Sequence, residues 1–188
     1  MTKISIVYHS GFGHTKIQAE NVLKGAQSVE GIEATLFEVE EVTKNPEKLN
    51  DFDAIIFGSP TYMGSASATF KAFMDASSKV WFGQAWKDKI AAGFTNSHSL
   101  SGDKLNTLVQ MAIFAAQHSM IWVGTGHMNE SPNGQAGQAE AINRMGSFLG
   151  AMAQSENKPP ELTPPSGDLK TVQFLGKRVA EIAKKLKN

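Results

Sequence analysis

Residues 8–15 read YHSGFGHT and lie between a short apolar run, ISIVY (residues 4–8), and a stretch with apolar residues at helical spacing (16–29). A strand, a glycine-rich loop and a helix in this order are typical of the first unit of an alternating β/α fold. Gly11 and Gly13 let the backbone come close to a ligand, and Ser10 and Thr15 supply short hydroxyl donors. The stretch therefore indicates a loop at one edge of a parallel sheet.

The same alternation continues along the chain. Apolar runs predict five strands, at residues 4–8, 34–39, 54–59, 90–95 and 120–124. Apolar residues at helical spacing predict five helices, at residues 16–29, 66–76, 103–117, 138–153 and 172–186. Right-handed crossovers then give an α/β fold, a doubly wound five-stranded parallel sheet in the order 2-1-3-4-5 with helices on both faces. The polar interruptions in 34–39 are suited to an edge strand.

Length and composition bound the class of protein. With 188 residues, 41% of them hydrophobic, we expect a single domain over residues 1–188. The proline-rich segment 159–165 resembles a linker, but only about 20 residues follow it, too few for another domain. We interpret this segment as a surface strap that carries the chain to its last helix.

The chain has no cysteine and a formal net charge of zero. Disulfides, thiolate metal sites and cysteine nucleophiles are therefore excluded, and any redox chemistry requires a cofactor. We expect no metal site. The neutral balance argues against binding to nucleic acid or to an anionic membrane surface. The longest uncharged stretch (105–129) is broken by polar residues, so we expect no membrane span and a cytoplasmic protein.

Three known phosphate loops differ from residues 8–15. A dinucleotide fingerprint requires a third glycine where this chain has Lys16, and a Walker A loop requires a Gly-Lys-Ser/Thr that is absent. A phospho-acceptor domain requires acidic residues where this chain reads YHS and GSP. Two interpretations remain. The loop either binds one phosphate monoester through hydroxyls and helix N-terminal amides, or it is an ordinary strand-to-helix turn with a cap.

Two further loops follow the third and fourth predicted strands, at the same sheet edge. GSPTYMGSAS (58–67) presents Tyr62 and Met63 between glycines, although both side chains would also suit plain packing. GFTNSHSLSGDK (93–104) places His98 in a polar loop, where a histidine is more often solvated than catalytic. A phosphate loop beside two polar and aromatic loops fits a flat heteroaromatic ring joined to a phosphate through a chain about one sugar long. Flavin mononucleotide (FMN) has that shape.

At this point the chain resembles a family, the flavodoxin-like FMN proteins, and within them the WrbA-type NAD(P)H:quinone oxidoreductases and NADPH-dependent FMN reductases. The stretches that carry the resemblance lie in order over most of the chain: YHSGFGHT, DFDAIIFGSPTYMGSASATFKAFMD (51–75), GFTNSHSLSGDKLNTL (93–108), QHSMIWVG (117–124) and PPSGDLKTVQFLGKRVAEIAKKL (164–186). The resemblance implies a flavodoxin-like fold.

The resemblance also implies roles for residues of this chain. Residues of the first loop would bind the FMN phosphate: Ser10, Gly11, Phe12, Gly13, His14 and Thr15. Residues of the second and third loops would contact the isoalloxazine ring: Pro60, Thr61, Tyr62, Met63, Gly64, Thr95, Asn96, Ser97, His98, Ser99 and Leu100. Trp81 would border the substrate, and His118 would approach the flavin across a subunit interface. Phe82 and Trp86, near Trp81, belong either to a subunit surface or to the core.

The resemblance implies an enzyme that passes two electrons from NADH or NADPH through FMN to a quinone or similar acceptor, as a homodimer or homotetramer. No general acid or base is obligatory for that chemistry. Tyr62, Met63, Trp81, His98 and His118 would then set the selectivity. Two alternatives stay open: a flavodoxin-type electron carrier, and an FMN-binding interaction module without significant turnover. Carriers of that class are usually strongly acidic, whereas this chain is neutral.

Overall fold

The structure is a computed structural model, and it describes residues 1–131, 135 and 137–187. Its strands are β1 (Thr2–Tyr8), β2 (Ile32–Glu38), β3 (Ala54–Tyr62), β4 (Ser65–Ala66), β5 (Ile90–Ser97), β6 (Ile121–Trp122) and β7 (Ala151–Gln154). Its α-helices are α1 (His14–Gln27), α2 (Val39–Thr43), α3 (Ala68–Ala76), α4 (Ser78–Phe82), α5 (Lys104–Gln117) and α6 (Ser166–Lys187). A short 3-10 helix covers Pro46–Leu49.

The parallel sheet has the order β2-β1-β3-β5-β6. In order of the predicted strands this is 2-1-3-4-5, so the predicted fold is confirmed, and β2 lies at an edge as its polar interruptions indicate. Because strands β1, β3 and β5 are parallel neighbours, their carboxyl ends and the loops that follow them meet at one edge. The predicted ligand site lies at that edge.

Two short strands share the fifth position of the sheet. Strand β6 pairs with the first residues of β5, at Ile90 and Ala91. Strand β7 pairs with its last four residues, from Phe94 to Ser97. The prediction of a helix over residues 138–153 is therefore wrong, because residues 151–154 form β7 and residues 138–150 are turns and bends.

Long-range hydrogen bonds explain why residues 138–150 do not form a helix. The backbone amide of Asn143 donates to Thr171 Oγ1 at 2.8 Å, and its side chain donates to the His127 carbonyl at 2.8 Å. Asn143 and Gly146 both have positive φ angles, of 47° and 65°. Tertiary bonds thus satisfy backbone groups that a helix would otherwise pair within itself, and they override the apolar spacing.

Apolar side chains fill both sides of the sheet. One cluster joins β1, β3 and β5 to α1 and α6, and it includes Ile4, Val22 and Leu175. The other joins the opposite face to α3 and α5 and is rich in aromatic rings, among them Phe57 and Trp86. Within the described residues, no helix is both long and apolar enough to cross a membrane.

Candidate functional site

A cavity of about 570 Å³ opens at the carboxyl edge of the sheet. Its volume lies in the range usual for small-molecule sites. Three of its walls come from the turn between β1 and α1, the carboxyl end of β3 and the carboxyl end of β5, at the edge that the sequence predicts. The residues of these three regions that line it are Gly11, Phe12, His14, Thr15, Pro60, Thr61, Tyr62, Asn96, Ser97 and His98. The other predicted loop residues belong to the same loops but not to the cavity wall: Ser10, Gly13, Met63, Gly64, Thr95, Ser99 and Leu100.

The first loop has the donors of an anion site. The Ser10 Oγ accepts hydrogen bonds from the amides of Gly13 (3.1 Å) and Lys16 (3.2 Å), which folds the loop around the start of α1. In the described part of the chain, the amides of Gly11, Phe12, His14 and Thr15 have no acceptor. Free amides at the positive end of a helix favour a phosphate.

Neighbouring groups come very close to two glycines of this loop. A Cβ atom on Gly11 would lie 2.4 Å from the Tyr62 hydroxyl oxygen, so the second loop packs directly on the first. Gly13 has a φ of +90°, and a Cβ there would lie 2.8 Å from Pro160 Cγ. The backbone conformation thus requires glycine at position 13, and the first loop has close neighbours on two sides, Tyr62 and Pro160.

The second loop is a tight hairpin that carries an aromatic side chain to the cavity. Strands β3 and β4 pair at Tyr62 and Ser65, and the two turn residues between them, Met63 and Gly64, both have positive φ angles. The Met63 side chain is fully exposed. Tyr62 meets Phe12 edge to face, with ring centroids 6.5 Å apart. Burial raises the pKa of the Tyr62 phenol, so its hydroxyl stays protonated and can donate.

Buried hydroxyls join the loops to one another. The Thr61 Oγ1 lies 2.8 Å from Thr95 Oγ1 and 2.7 Å from Thr107 Oγ1, which connects the second loop to β5 and α5. Asn96 donates to Thr15 Oγ1 at 3.3 Å, which connects the third loop to the first. These hydrogen bonds therefore hold the first, second and third loops in fixed positions relative to one another. His98, by contrast, is exposed at the cavity mouth.

A fourth wall, which the sequence analysis does not identify as part of the site, comes from the segment after β7. It consists of Ser155, Glu156, Asn157, Lys158, Pro159 and Pro160. The Lys158 carbonyl lies 2.8 Å from His14 Nε2, which ties this segment to the first loop. Pro159 and Pro160 belong to the stretch 159–165, which the sequence predicts to be a surface strap. Strand β7 pairs with β5, so the chain that leaves β7 enters the ligand edge of the sheet. Because the sequence analysis predicts a helix over residues 138–153, it does not place the following segment at that edge.

Within one chain, Trp81 and His118 do not reach this cavity. They line a separate depression between α3, α4 and α5, on the aromatic side of the sheet. Trp81 is 44% exposed and Phe82 is 85% exposed, whereas Trp86 is fully buried. Trp81 and Phe82 therefore belong to the surface, and Trp86 belongs to the core. The predicted approach of His118 across a subunit interface stays a prediction.

His118 is a buried, neutral side chain in the chain described here. Its Nε2 lies 2.9 Å from Ser77 Oγ, and its ring packs on Trp86 with centroids 4.3 Å apart. Burial lowers the pKa of His118 to about 4. At neutral pH the ring is thus uncharged and a weak base, so it serves as a neutral hydrogen-bonding group and not as a fixed cation.

This pKa predicts a pH dependence of stability. An unfolded histidine has a pKa of about 6.5, so between about pH 6.5 and pH 4 the unfolded chain binds a proton that the folded chain excludes. The free energy of unfolding should therefore decrease as the pH falls through this range. In urea unfolding at a series of pH values, His118→Gln should lose that part of the dependence, whereas His98→Gln should retain it. Identical pH profiles for His118→Gln and the parent would contradict the assignment.

The residues of the cavity fit FMN. Four free amides and the Thr15 hydroxyl in its wall, with the Ser10 hydroxyl in the same loop, suit a phosphate, and the paired rings of Phe12 and Tyr62 suit a flat ring. Among the described residues, no group of three or more histidine, aspartate or glutamate side chains is placed to hold a metal ion.

The sheet order and the ligand edge define a flavodoxin-like α/β protein. A family model described as NADPH-dependent FMN reductase matches residues 21–132, more than half of the chain. The chain belongs to this family, and the predictions of FMN and of a nicotinamide nucleotide are confirmed at the level of the family.

Individual relatives agree with this membership. Flavodoxin FldP of Pseudomonas aeruginosa is 42% identical and is matched over 99% of both chains. An NAD(P)H dehydrogenase (quinone) of Archaeoglobus fulgidus is 32% identical over 99% of this chain and all of its own. Among solved structures, the flavodoxin, WrbA-like protein from Agrobacterium tumefaciens has a TM-score of 0.75 at 40% identity, over 98% of this chain and 99% of its own. The resemblance drawn from the sequence is therefore confirmed.

Proposed function

We propose that the protein is an FMN-dependent enzyme that transfers two electrons from NADH or NADPH to a quinone or a similar flat acceptor. The observation that carries the proposal is the first loop, where four residues with unpartnered amides, Gly11, Phe12, His14 and Thr15, line the cavity at and just before the start of α1. The family membership and the quinone dehydrogenase relative support the same chemistry.

The residues of the cavity would divide the work between its two ends. The amides of the first loop and the hydroxyls of Ser10 and Thr15 would bind the FMN phosphate, because helix N-termini favour dianions. Pro60, Thr61 and Asn96 would contact the ring. When bound, the flavin accepts a hydride equivalent and passes on two electrons. The exposed aromatic rim of Phe12 and Tyr62 leaves room for a flat partner to approach.

A flavodoxin-type electron carrier is the second candidate, since a relative with 42% identity is named a flavodoxin. The formal charge of zero, with 18 basic and 18 acidic residues, favours the enzyme. Carriers usually depend on a strong charge of one sign to dock with their partners. The neutral chain offers no such field.

Anaerobic mixing of the FMN-loaded protein with NADPH or NADH distinguishes the two candidates. An enzyme should lose its long-wavelength flavin absorption at about 1 per second or faster, and a quinone should then restore it. A carrier should stay oxidised until a separate reductase is added. Free FMN at the same concentration is the control. Failure of both nucleotides to reduce the bound flavin within minutes would refute the enzyme.

We also propose that the protein is a homodimer or homotetramer in which Trp81 acts from a neighbouring copy. His118 lines the same depression but is 2% exposed, so it would act through its neighbours and not by direct contact. Support comes from the exposed apolar side chains of Trp81 and Ile113, which line this depression, and of Phe82, which follows Trp81 in the chain. Isolated apolar side chains are normal on a surface, but contiguous ones mark interfaces. A monomer in sedimentation velocity at micromolar concentration would contradict this proposal.

A further inference from the structure

We propose that Lys104 is a positioning residue that holds residues 97–100 in the conformation that binds the flavin. This proposal rests on the proposed function, since it concerns a wall of the same cavity. Lys104 is the first residue of α5 and lies behind the third loop, outside the cavity wall. It was not identified in the sequence, where a lysine at the start of a helix suggests a solvated side chain.

The Lys104 ammonium is enclosed by the loop. The residue is 0% exposed, which is rare for a lysine. Its Nζ donates to Ser97 Oγ at 3.0 Å, to the Ser99 carbonyl at 2.8 Å and to the Leu100 carbonyl at 2.8 Å. An ammonium has three N–H donors, and here all three have an acceptor. The conformation of residues 97–100 therefore depends on hydrogen bonds to one buried ammonium group.

This arrangement fixes the direction of the loop backbone. Lys104 orients the carbonyls of Ser99 and Leu100, and Gln154 Nε2 donates to the preceding carbonyl, that of His98, at 3.2 Å. Because a trans peptide directs its N–H opposite to its C=O, the amides of Leu100 and Ser101 point away from the ammonium. In the described part of the chain neither amide has an acceptor. Neither residue lines the cavity, so this loop reaches the ligand through Ser97 and His98, whose positions depend on the same bonds.

The loop is too tightly folded to change shape without breaking these bonds. Ser97 Oγ also donates to the Ser99 carbonyl at 2.9 Å. Gly102 has a φ of +52°, and a Cβ there would lie 2.1 Å from Ser97 Oγ. Ser97 is also one of the residues that line the cavity, so a residue bonded to Lys104 belongs to the ligand wall. Loss of the ammonium would thus change the position of a residue in the ligand wall.

The proposal predicts a pH-dependent affinity. Burial lowers the pKa of Lys104 to about 8, against the opposing effect of Asp168 on α6, while Arg144 lowers it further. A neutral amine has two N–H donors and cannot serve three acceptors. If flavin binding requires the ammonium, FMN affinity is constant below about pH 8 and decreases above it, by up to about tenfold per pH unit.

The test compares the parent protein with Lys104→Met and with Lys89→Met as a matched control. Lys89 also has a pKa lowered by burial, and its Nζ donates to the carbonyls of Asn50 (2.6 Å) and Phe52 (2.5 Å) at the opposite end of β5. FMN dissociation constants are measured by fluorescence from pH 7 to 9.5. The parent and Lys89→Met should lose affinity together above pH 8. Lys104→Met should bind at least about tenfold more weakly at pH 7, with no further loss.

A second measurement does not depend on flavin. In the apoprotein, chymotrypsin should cleave after Leu100, which is 60% exposed, at least about tenfold faster in Lys104→Met than in the parent or Lys89→Met. Equal cleavage in Lys104→Met and the parent would overturn the proposal. So would a parent affinity that is flat to pH 9.5, which needs no variant to fold. Absence of FMN binding by the parent would instead refute the proposed function, while the cleavage rates still decide whether Lys104 holds the loop.

Discussion

Replacement of both Ser10 and Thr15 by alanine should weaken FMN binding by about 10² to 10⁴-fold. Each hydroxyl would form a charge-assisted hydrogen bond to the phosphate, worth about 1.5–3 kcal/mol, and about 1.4 kcal/mol is a factor of ten in affinity. Ser10 also folds the loop, through the amides of Gly13 and Lys16, and Thr15 receives the Asn96 side chain. The double substitution therefore removes donors and loosens the loop that presents the free amides.

Fluorescence titration of the apoprotein with FMN measures this effect. The matched control is Ser28→Ala with Thr43→Ala, since these hydroxyls donate to the carbonyls of Gly25 and Val39 at 2.7 Å, outside the cavity wall. The control should bind FMN as the parent does. A dissociation constant within threefold of the parent for the Ser10 and Thr15 variant would contradict the assignment of the phosphate site to this loop.

Most of the fold was predictable because its signals are local. Strands β1, β3 and β5 are buried on both faces, so each is a nearly continuous apolar run, and the helix stripes between them have the right period. The position of the first loop was predictable for the same reason, because it follows directly on β1. Its glycines and hydroxyls, all within six residues, predict a phosphate site, and that role stays a prediction. The loops then met because parallel strands end at a common edge.

The fourth wall of the cavity was not predictable in this way. It depends on β7, whose four residues pair with β5 across a long excursion of the chain, and on a contact between His14 and Lys158 separated by 144 positions. Similarly, nothing local distinguishes Trp81 on the surface from Trp86 in the core. The burial of Lys104 was not predictable either, because it results from the path of residues 97–100 around the side chain.

Asp168→Ala should lower the free energy of unfolding by about 3–5 kcal/mol, the usual cost of breaking a buried ion pair. Asp168 is 1% exposed, and its carboxylate accepts from Arg144 Nε at 2.7 Å and from Arg144 Nη2 at 2.9 Å. The backbone amide of Gln154 donates to the same carboxylate at 2.9 Å. The substitution leaves the Arg144 guanidinium buried without its partner, and it releases β7 from α6.

Urea unfolding measures this loss, and two further variants show its origin. Asp75→Ala breaks an exposed pair with Lys71 and should cost at most about 0.5 kcal/mol. Asp168→Leu with Arg144→Met removes both buried charges and should recover most of the stability. A cost below about 1 kcal/mol for Asp168→Ala would contradict a buried pair. Because Gln154 also donates to the His98 carbonyl, FMN affinity should decrease in Asp168→Ala even where the protein remains folded, since the ion pair supports the third loop from behind.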